Sequence, residues 1–317
     1  MNPSFTSVIG AALPVFLLLG LGYVLRKGKV VAETADTSLL KLLVSVFYPC
    51  LYLDYIIGNP ALMSVGNLVS APLIGFVSIV AGFAIAYGVA RLLGLQRGTG
   101  LRTFSFCNGI YNYGYIPIPI IMALFASRET LGVLLVYNVG VEAAMWTAGI
   151  MLLAGKIDRE SLKRLVNPPV VALLVALLVN LTGLDGHMPG WLSRPISMLG
   201  ACSIPLGILL GGAMVADLLT RKGIFDMPKI PLGSIGVRLG ILPILFVFFA
   251  ATLPGLSPEL RQVMIIQAAM PAGILPIVLS RHYGGEPKVA IRVVLATTLA
   301  SIITMPLWIR IGTAVVF

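Results

Sequence analysis

The sequence has little charge, little histidine and little cysteine. Only 11% of its 317 residues are Asp, Glu, Lys or Arg, and 12 are acidic, where a soluble domain carries about 25% charged residues. Water is therefore not the main solvent of this chain. The two histidines, His187 and His282, fall in connections between apolar runs, and neither has a plausible metal partner. The three cysteines, Cys50, Cys107 and Cys202, lie inside apolar segments without CxxC spacing. That argues against a disulfide framework and a metal cluster, and predicts small core residues. HExxH, GxSxG and paired-Asp motifs are missing, so an intramembrane enzyme would lack its nucleophile, base or metal. No cofactor or metal is expected.

What fills the chain instead is apolar: 58% hydrophobic residues and a mean hydropathy of +1.00. A spanning helix needs about 20 mostly apolar residues. Apolar runs broken by charge or by Gly and Pro fall near 4–26, 36–58, 67–94, 101–126, 130–154, 167–184, 193–217, 230–253, 259–281 and 287–315. This predicts an all-α integral membrane protein with ten transmembrane helices. The first run has no basic cluster before it and is long enough to span, so it is read as a retained helix and not a cleaved signal.

The net charge of +10 would suggest nucleic acid in a soluble protein, but in a membrane protein its meaning depends on which loops carry it. One alternate set of connections holds 16 Lys and Arg, among them Arg26, Lys27, Lys29, Lys156, Arg159, Lys163, Arg164, Arg221, Lys222 and Lys229. The other set holds four, Arg128, Arg194, Arg261 and Arg310. The positive-inside rule then puts both termini on the non-cytoplasmic side of the cell inner membrane. Nucleic acid is not an expected partner. Arg26, Lys27 and Lys29 read as orientation signals, and Asp54 and Asp217, near helix ends, as water-reaching.

Sliding the chain on itself by about 157 residues lays Pro119, with Glu129 ten residues on, over Pro276, with Glu286 ten residues on. Pro49 and Pro205 match to within one residue. Two five-helix repeats, 1–155 and 156–317, follow; with an odd number of spans each, they are inverted. The fourth span reads Asn108-Gly-Ile-Tyr-Asn112-Tyr113-Gly114-Tyr-Ile-Pro117-Ile-Pro119, and the ninth Gln267-Ala-Ala-Met270-Pro271-Ala-Gly273-Ile-Leu-Pro276. Proline inside a helix frees backbone groups that hydrocarbon cannot satisfy. Paired interruptions near the midplane point to a substrate site whose half-helix N-termini suit an anion.

Neither break holds Asp or Glu, which counts against a cation exchanger. Asn112 offers a neutral donor and acceptor beside the freed backbone. The candidate substrate-binding residues are Asn112, Tyr113, Gly114 and Pro119 in the fourth span and Gln267, Pro271, Gly273 and Pro276 in the ninth, with Tyr48 and Pro49 from the second. Glu142, inside the fifth span, is a candidate for proton coupling or a neutral structural acid. Arg238 lies about two turns from the cytoplasmic end of the eighth span and is expected to snorkel to water, with a role as counter-charge to Glu142 or to the substrate as the alternative.

These residues resemble the auxin efflux carrier family, which includes plant carriers and bacterial permeases for malonate or malate. Gln267 to Pro276, followed by Tyr283 and Pro287, looks like the plant motif QAALPxGIxP, and Asn112 with Pro119 looks like NTxxxGIP. Tyr48-Pro49, Asn59-Pro60, Trp146, Asn167-Pro168 and Arg238 with Pro243 extend the likeness along the chain. The resemblance implies a sodium/proton-antiporter-like fold with crossed broken helices 4 and 9. It also implies a dimerising scaffold of helices 1, 2, 6 and 7, a transport domain of helices 3–5 and 8–10, an elevator motion, and a crossover Asn on the substrate carboxylate. A homodimer carrying a small organic anion, either an auxin-like monocarboxylate or a malonate- or malate-like dicarboxylate, is the expectation; a sodium-coupled bile-acid-type symporter and a non-transporting receptor or sensor are the alternatives. The sequence departs from the plant pattern at Pro117 (Gly), Glu142 (Gln) and Thr147 (Tyr), and lacks the long central loop.

Overall fold

A computed structural model of the chain describes residues 5–157, 159–219 and 227–317. Residue 4, where the first apolar run begins, and the basic residues Arg221 and Lys222 lie outside the described residues. Every regular element described is helical. Eight stretches are long and apolar enough to cross a membrane: Thr6–Lys27, Glu33–Ile56, Val65–Leu92, Arg128–Ala154, Arg159–Leu181, Gly190–Leu219, Lys229–Thr252 and Pro287–Val316. The remaining two apolar runs are each a pair of half-helices, Leu101–Gly109 with Pro117–Phe125 and Pro258–Ala268 with Leu275–His282.

We name the elements in chain order: α1 Phe5–Lys27, α2 Glu33–Ile56, α3 Val65–Leu92, α4 Leu101–Gly109, α5 Pro117–Phe125, α6 Arg128–Ala154, α7 Pro168–Leu181, α8 Gly190–Leu219, α9 Lys229–Thr252, α10 Pro258–Ala268, α11 Leu275–His282 and α12 Pro287–Val316. A one-turn helix, Arg159–Lys163, leads into α7, whose start is fixed by Asn167: its Oδ1 accepts from the Val170 N–H at 3.0 Å, an ordinary N-cap ahead of Pro at N1.

The outside of the bundle is greasy. On α1, Leu13, Leu17, Leu21 and Val24 are 47–63% exposed, spaced as one helical face. A face of this kind is a liability in water and ordinary against lipid. Inside, small residues bring backbones together, as association in lipid requires. A Cβ at Gly140 of α6 would collide with the Pro72 carbonyl of α3, and one at Gly22 of α1 or Gly212 of α8 would strike the backbone of the other helix. The heaviest packing joins α1, α2, α7 and α8 on one side and α3 to α6 with α9 to α12 on the other. Gly140→Ala is expected to cost about 1–3 kcal/mol by overpacking, read as a lower melting temperature of the purified protein, whereas Gly88→Ala, with open space around it, should leave it unchanged.

Two expectations about single residues are corrected here. Cys107 is a buried core residue, but Cys202 is exposed on α8 and Cys50 half-buried. Arg26 is not merely an orientation signal: it is 8% exposed and pairs with Asp36 at 2.5 Å and Asp217 at 3.2 Å, tying α1, α2 and α8 at their ends. Asp217 and Asp54 are partly exposed near helix ends, as expected, with side chains 28% and 18% exposed, and they also pair with Arg26 and with Arg128 at 3.4 Å.

Candidate functional site

Both interrupted segments break where proline and glycine end a helix in an apolar run. The prolines do not kink a continuous helix: each segment is interrupted, as the sequence reading expects. Pro117 and Pro119 occupy the first and third positions of α5, and Pro276 the second of α11, where a missing N–H removes no internal bond. The chain leaves α4 extended at Ile110, and the two breaks are tied to each other. Tyr111 and Ala272 form an isolated antiparallel bridge: the Asn112 N–H donates to Pro271 O at 2.8 Å, and the Gly273 N–H to Ile110 O at 2.9 Å. The Ala272 N–H reaches Thr297 Oγ1 of α12 at 3.2 Å. Backbone groups orphaned by one break are thus largely satisfied by the other, as a low-dielectric setting demands.

Side-chain amides cover further groups. Asn138 of α6 donates to Tyr113 O at 3.0 Å, and Gln267 Nε2 lies 3.3 Å from both Tyr113 O and Asn138 Oδ1. The Asn112 side chain is left loosely held, its Oδ1 accepting from Ile116 N at 3.4 Å. The N–H groups of Tyr113, Gly114 and Tyr115 take no partner among the described residues. Successive unpaired N–H groups are anion-binding chemistry. The prolines of α5 reduce the donors its N-terminus can present, so these loop N–H groups supply more of the positive field than the half-helix end does.

Arg238 does not snorkel. It is fully buried, its Nε donating to Met270 O at 3.0 Å and its Nη2 to Gln267 O at 3.1 Å and Ala268 O at 3.3 Å. It therefore caps the broken C-terminus of α10, where the helix dipole is negative. Its guanidinium lies 4.8 Å from the Tyr111 ring centroid and 5.8 Å from that of Phe246, and Nη1 has no hydrogen-bond partner. No carboxylate pairs with it among the described residues. On its far side Tyr111 joins a ring of hydroxyls with Tyr137 at 2.9 Å and Ser78 at 3.0 Å.

A cavity of about 730 Å³ opens beside the breaks, within the range of small-molecule sites. Of the expected residues, Tyr48, Asn112, Tyr113, Gly114, Gly273, Pro276 and Glu142 line it. Pro49, Pro119, Gln267 and Pro271 do not; Gln267 and Pro271 act from behind, through the amide network and the backbone tie. Sequence reading missed Tyr52, Tyr115 and Asn138 as lining residues. Asn138 precedes Glu142 by one helical turn, so a search for polar residues at i−4 on that face would have found it. At the mouth, Asn167 Nδ2 donates to Glu142 Oε2 at 2.7 Å, and Arg164 lies 5.2 Å over the Trp146 ring. Three helices carry a π-turn at site residues: Leu43–Phe47 just before Tyr48, Met145–Gly149 holding Trp146, and Val237–Ile241 holding Arg238. Such inserted residues re-aim side chains and recur at functional sites.

The chain matches the family model described as "Membrane transport protein" over residues 7–162 and 156–309. An uncharacterized transporter of Methanothermobacter thermautotrophicus is 25% identical over 303 residues, covering 93% of this chain and 95% of that protein. An uncharacterized transporter of Methanocaldococcus jannaschii is 19% identical over 307 residues, with the same coverage. With its apolar helices and a family match spanning nearly all of it, the chain is a multi-pass membrane protein and belongs to the membrane transport protein family, the auxin-efflux-carrier family that its broken-helix motifs resemble.

Proposed function

We propose that this protein carries a small organic anion through the membrane by alternating access, holding the substrate carboxylate at the Asn112–Tyr115 break. The observation that carries this reading is Arg238, a buried guanidinium with no carboxylate partner among the described residues, set behind a break whose Tyr113, Gly114 and Tyr115 N–H groups are unpaired. A buried charge without a carboxylate partner is expensive, and in a membrane protein it is functional by default. Here it gives the site a fixed positive field. Auxin-like monocarboxylates and malonate- or malate-like dicarboxylates each supply a carboxylate for that break.

In the same reading, the half-helix pairs are the fourth and ninth of ten spans, arranged as two inverted five-helix repeats that cross at the tied breaks. Support comes from the register: α4 and α10 begin 157 residues apart, α5 and α11 158, and the two family matches overlap at 156–162. The scaffold is α1, α2, α7 and α8, which pack together; it dimerises, and the other helices move as an elevator. Both termini lie outside the inner membrane, so the mouth at Lys163 and Arg164 is cytoplasmic.

A sodium-coupled symporter is the rival. It needs oxygens free to coordinate Na⁺, yet Tyr113 O is covered by two amides and the carbonyls of Gln267, Ala268 and Met270 by Arg238. The test is a thermal-shift screen of purified protein with indole-3-acetate, malonate and malate, followed by uptake into proteoliposomes. At least one acid is expected to raise the melting temperature where its neutral amide does not, and its uptake should be unchanged when choline replaces sodium. Sodium-dependent uptake would favour the symporter, and binding without uptake the receptor.

A further inference from the structure

We propose that the cavity has a second, cation-accepting subsite at Glu142, so that the substrate is an aminocarboxylate whose carboxylate sits at the Asn112–Tyr115 break and whose ammonium sits at Glu142. The inference rests on the reading of the break as the carboxylate end. Glu142 lines the same cavity as Asn112. It is anchored by one neutral group: Asn167 Nδ2 donates to Oε2 at 2.7 Å, and this is its one hydrogen bond to a side chain among the described residues. No ion pair includes it. Of the two cations at the mouth, Arg164 is engaged with Glu160 at 2.8 Å and with the Trp146 ring at 5.2 Å, and Lys163 lines the cavity without forming an ion pair with Glu142.

A carboxylate anchored at one oxygen, within a membrane protein and without a counter-charge, is costly unless a cation joins it or it takes up a proton. The walls around it suit an ammonium. Tyr52, Tyr113 and Trp146 line the cavity together with Glu142, and aromatic faces beside a carboxylate are the chemistry that recognises alkylammonium groups. Trp146 already accepts one cation, the Arg164 guanidinium. The other pole of the cavity has the opposite character: no acid and unpaired N–H groups, with the buried Arg238 behind it against the lining Tyr111. A ligand with one charge of each sign satisfies both poles in one orientation only. A simple dicarboxylate would set an anion against Glu142, and a simple amine would set a cation against the field of Arg238.

The experiment measures binding to the full-length protein in lipid nanodiscs, using two ligand pairs that differ in the amine: L-tryptophan against indole-3-propionate, and 4-aminobutyrate against butyrate. In the wild type, the amino member of at least one pair is expected to bind about tenfold tighter. Glu142→Gln should erase that preference and leave the deamino partner's affinity unchanged, while Glu142→Asp, which keeps the charge, should retain part of it. Melting temperatures of the unliganded variants separate loss of the subsite from loss of fold. Equal binding of amino and deamino ligands in the wild type, binding of none of the four, or a preference that survives Glu142→Gln would overturn the subsite. So would a Glu142→Gln effect confined to the pH dependence of uptake, since Glu142 would then carry a proton and not a ligand. Asn112→Ala addresses the other pole. Loss of both members of a pair supports the carboxylate end, whereas retention of both overturns that end and leaves the amine preference to judge Glu142 by itself.

Discussion

Replacing Arg238 with methionine is expected to weaken carboxylate binding about thirtyfold and to lower the melting temperature of the unliganded protein. The two effects have separate causes. Arg238 lies 4.8 Å from the Tyr111 ring centroid, and a unit charge acting on a carboxylate across a separation on the order of 8 Å contributes about 2 kcal/mol at an effective dielectric near 20, which is roughly thirtyfold in affinity. The stability loss comes from Gln267, Ala268 and Met270, whose carbonyls lose their donor; a buried acceptor left unpaired costs about 1–3 kcal/mol. Arg238→Lys separates the causes, since an ammonium keeps the charge but cannot reproduce the planar fork or the stacking on Tyr111. It should retain most of the affinity while still melting early. If Lys and Met lose binding equally, with both proteins folded, the charge does not set anion affinity.

Asn112→Ala is expected to cut carboxylate uptake into proteoliposomes by roughly 10- to 150-fold, with little change in melting temperature. A hydrogen bond to a charged group is worth about 1.5–3 kcal/mol, which sets that range. The fold should survive because the tie between the breaks uses the Asn112 N–H, which alanine keeps, and the side chain itself makes only the long 3.4 Å bond from Ile116 N. Asn112→Asp should be worse than alanine for any anion, because it sets a like charge where the carboxylate docks. Normal uptake by Asn112→Ala would remove this residue from the site.

The parts of the site that could be read from sequence are those that violate the apolar pattern. Asn112 to Pro119 and Met270 to Pro276 stand out because Gly and Pro interrupt runs that should be helical, and Glu142 because an acid there is expensive. The rest was hidden for physical reasons. Tyr111 and Tyr137 read as core aromatics, and only tertiary packing shows that their hydroxyls close a ring with Ser78. Arg238 is placed where a long side chain could reach the membrane surface, so the choice between snorkelling and capping α10 depends on which helix lies against it. The π-turns at 43–47, 145–149 and 237–241 leave no compositional trace. The resemblance pointed to the breaks but not to Pro117 and Pro119 as helix-starting residues, since a proline inside an apolar run looks alike whether it kinks a helix or begins one.

The backbone bridge between the two breaks has a consequence for how such a carrier can diversify. Both of its hydrogen bonds run from main-chain N–H to main-chain oxygen, groups that nearly every residue supplies. Apart from proline at 112, which would delete a donor, and any side chain at Gly273, whose Cβ would crowd the Tyr111 carbonyl, substitution along the breaks leaves the frame standing. The side chains that give the pocket its chemistry can therefore be exchanged one at a time, and new cargo can be acquired by changing the lining without rebuilding the crossing that presents it.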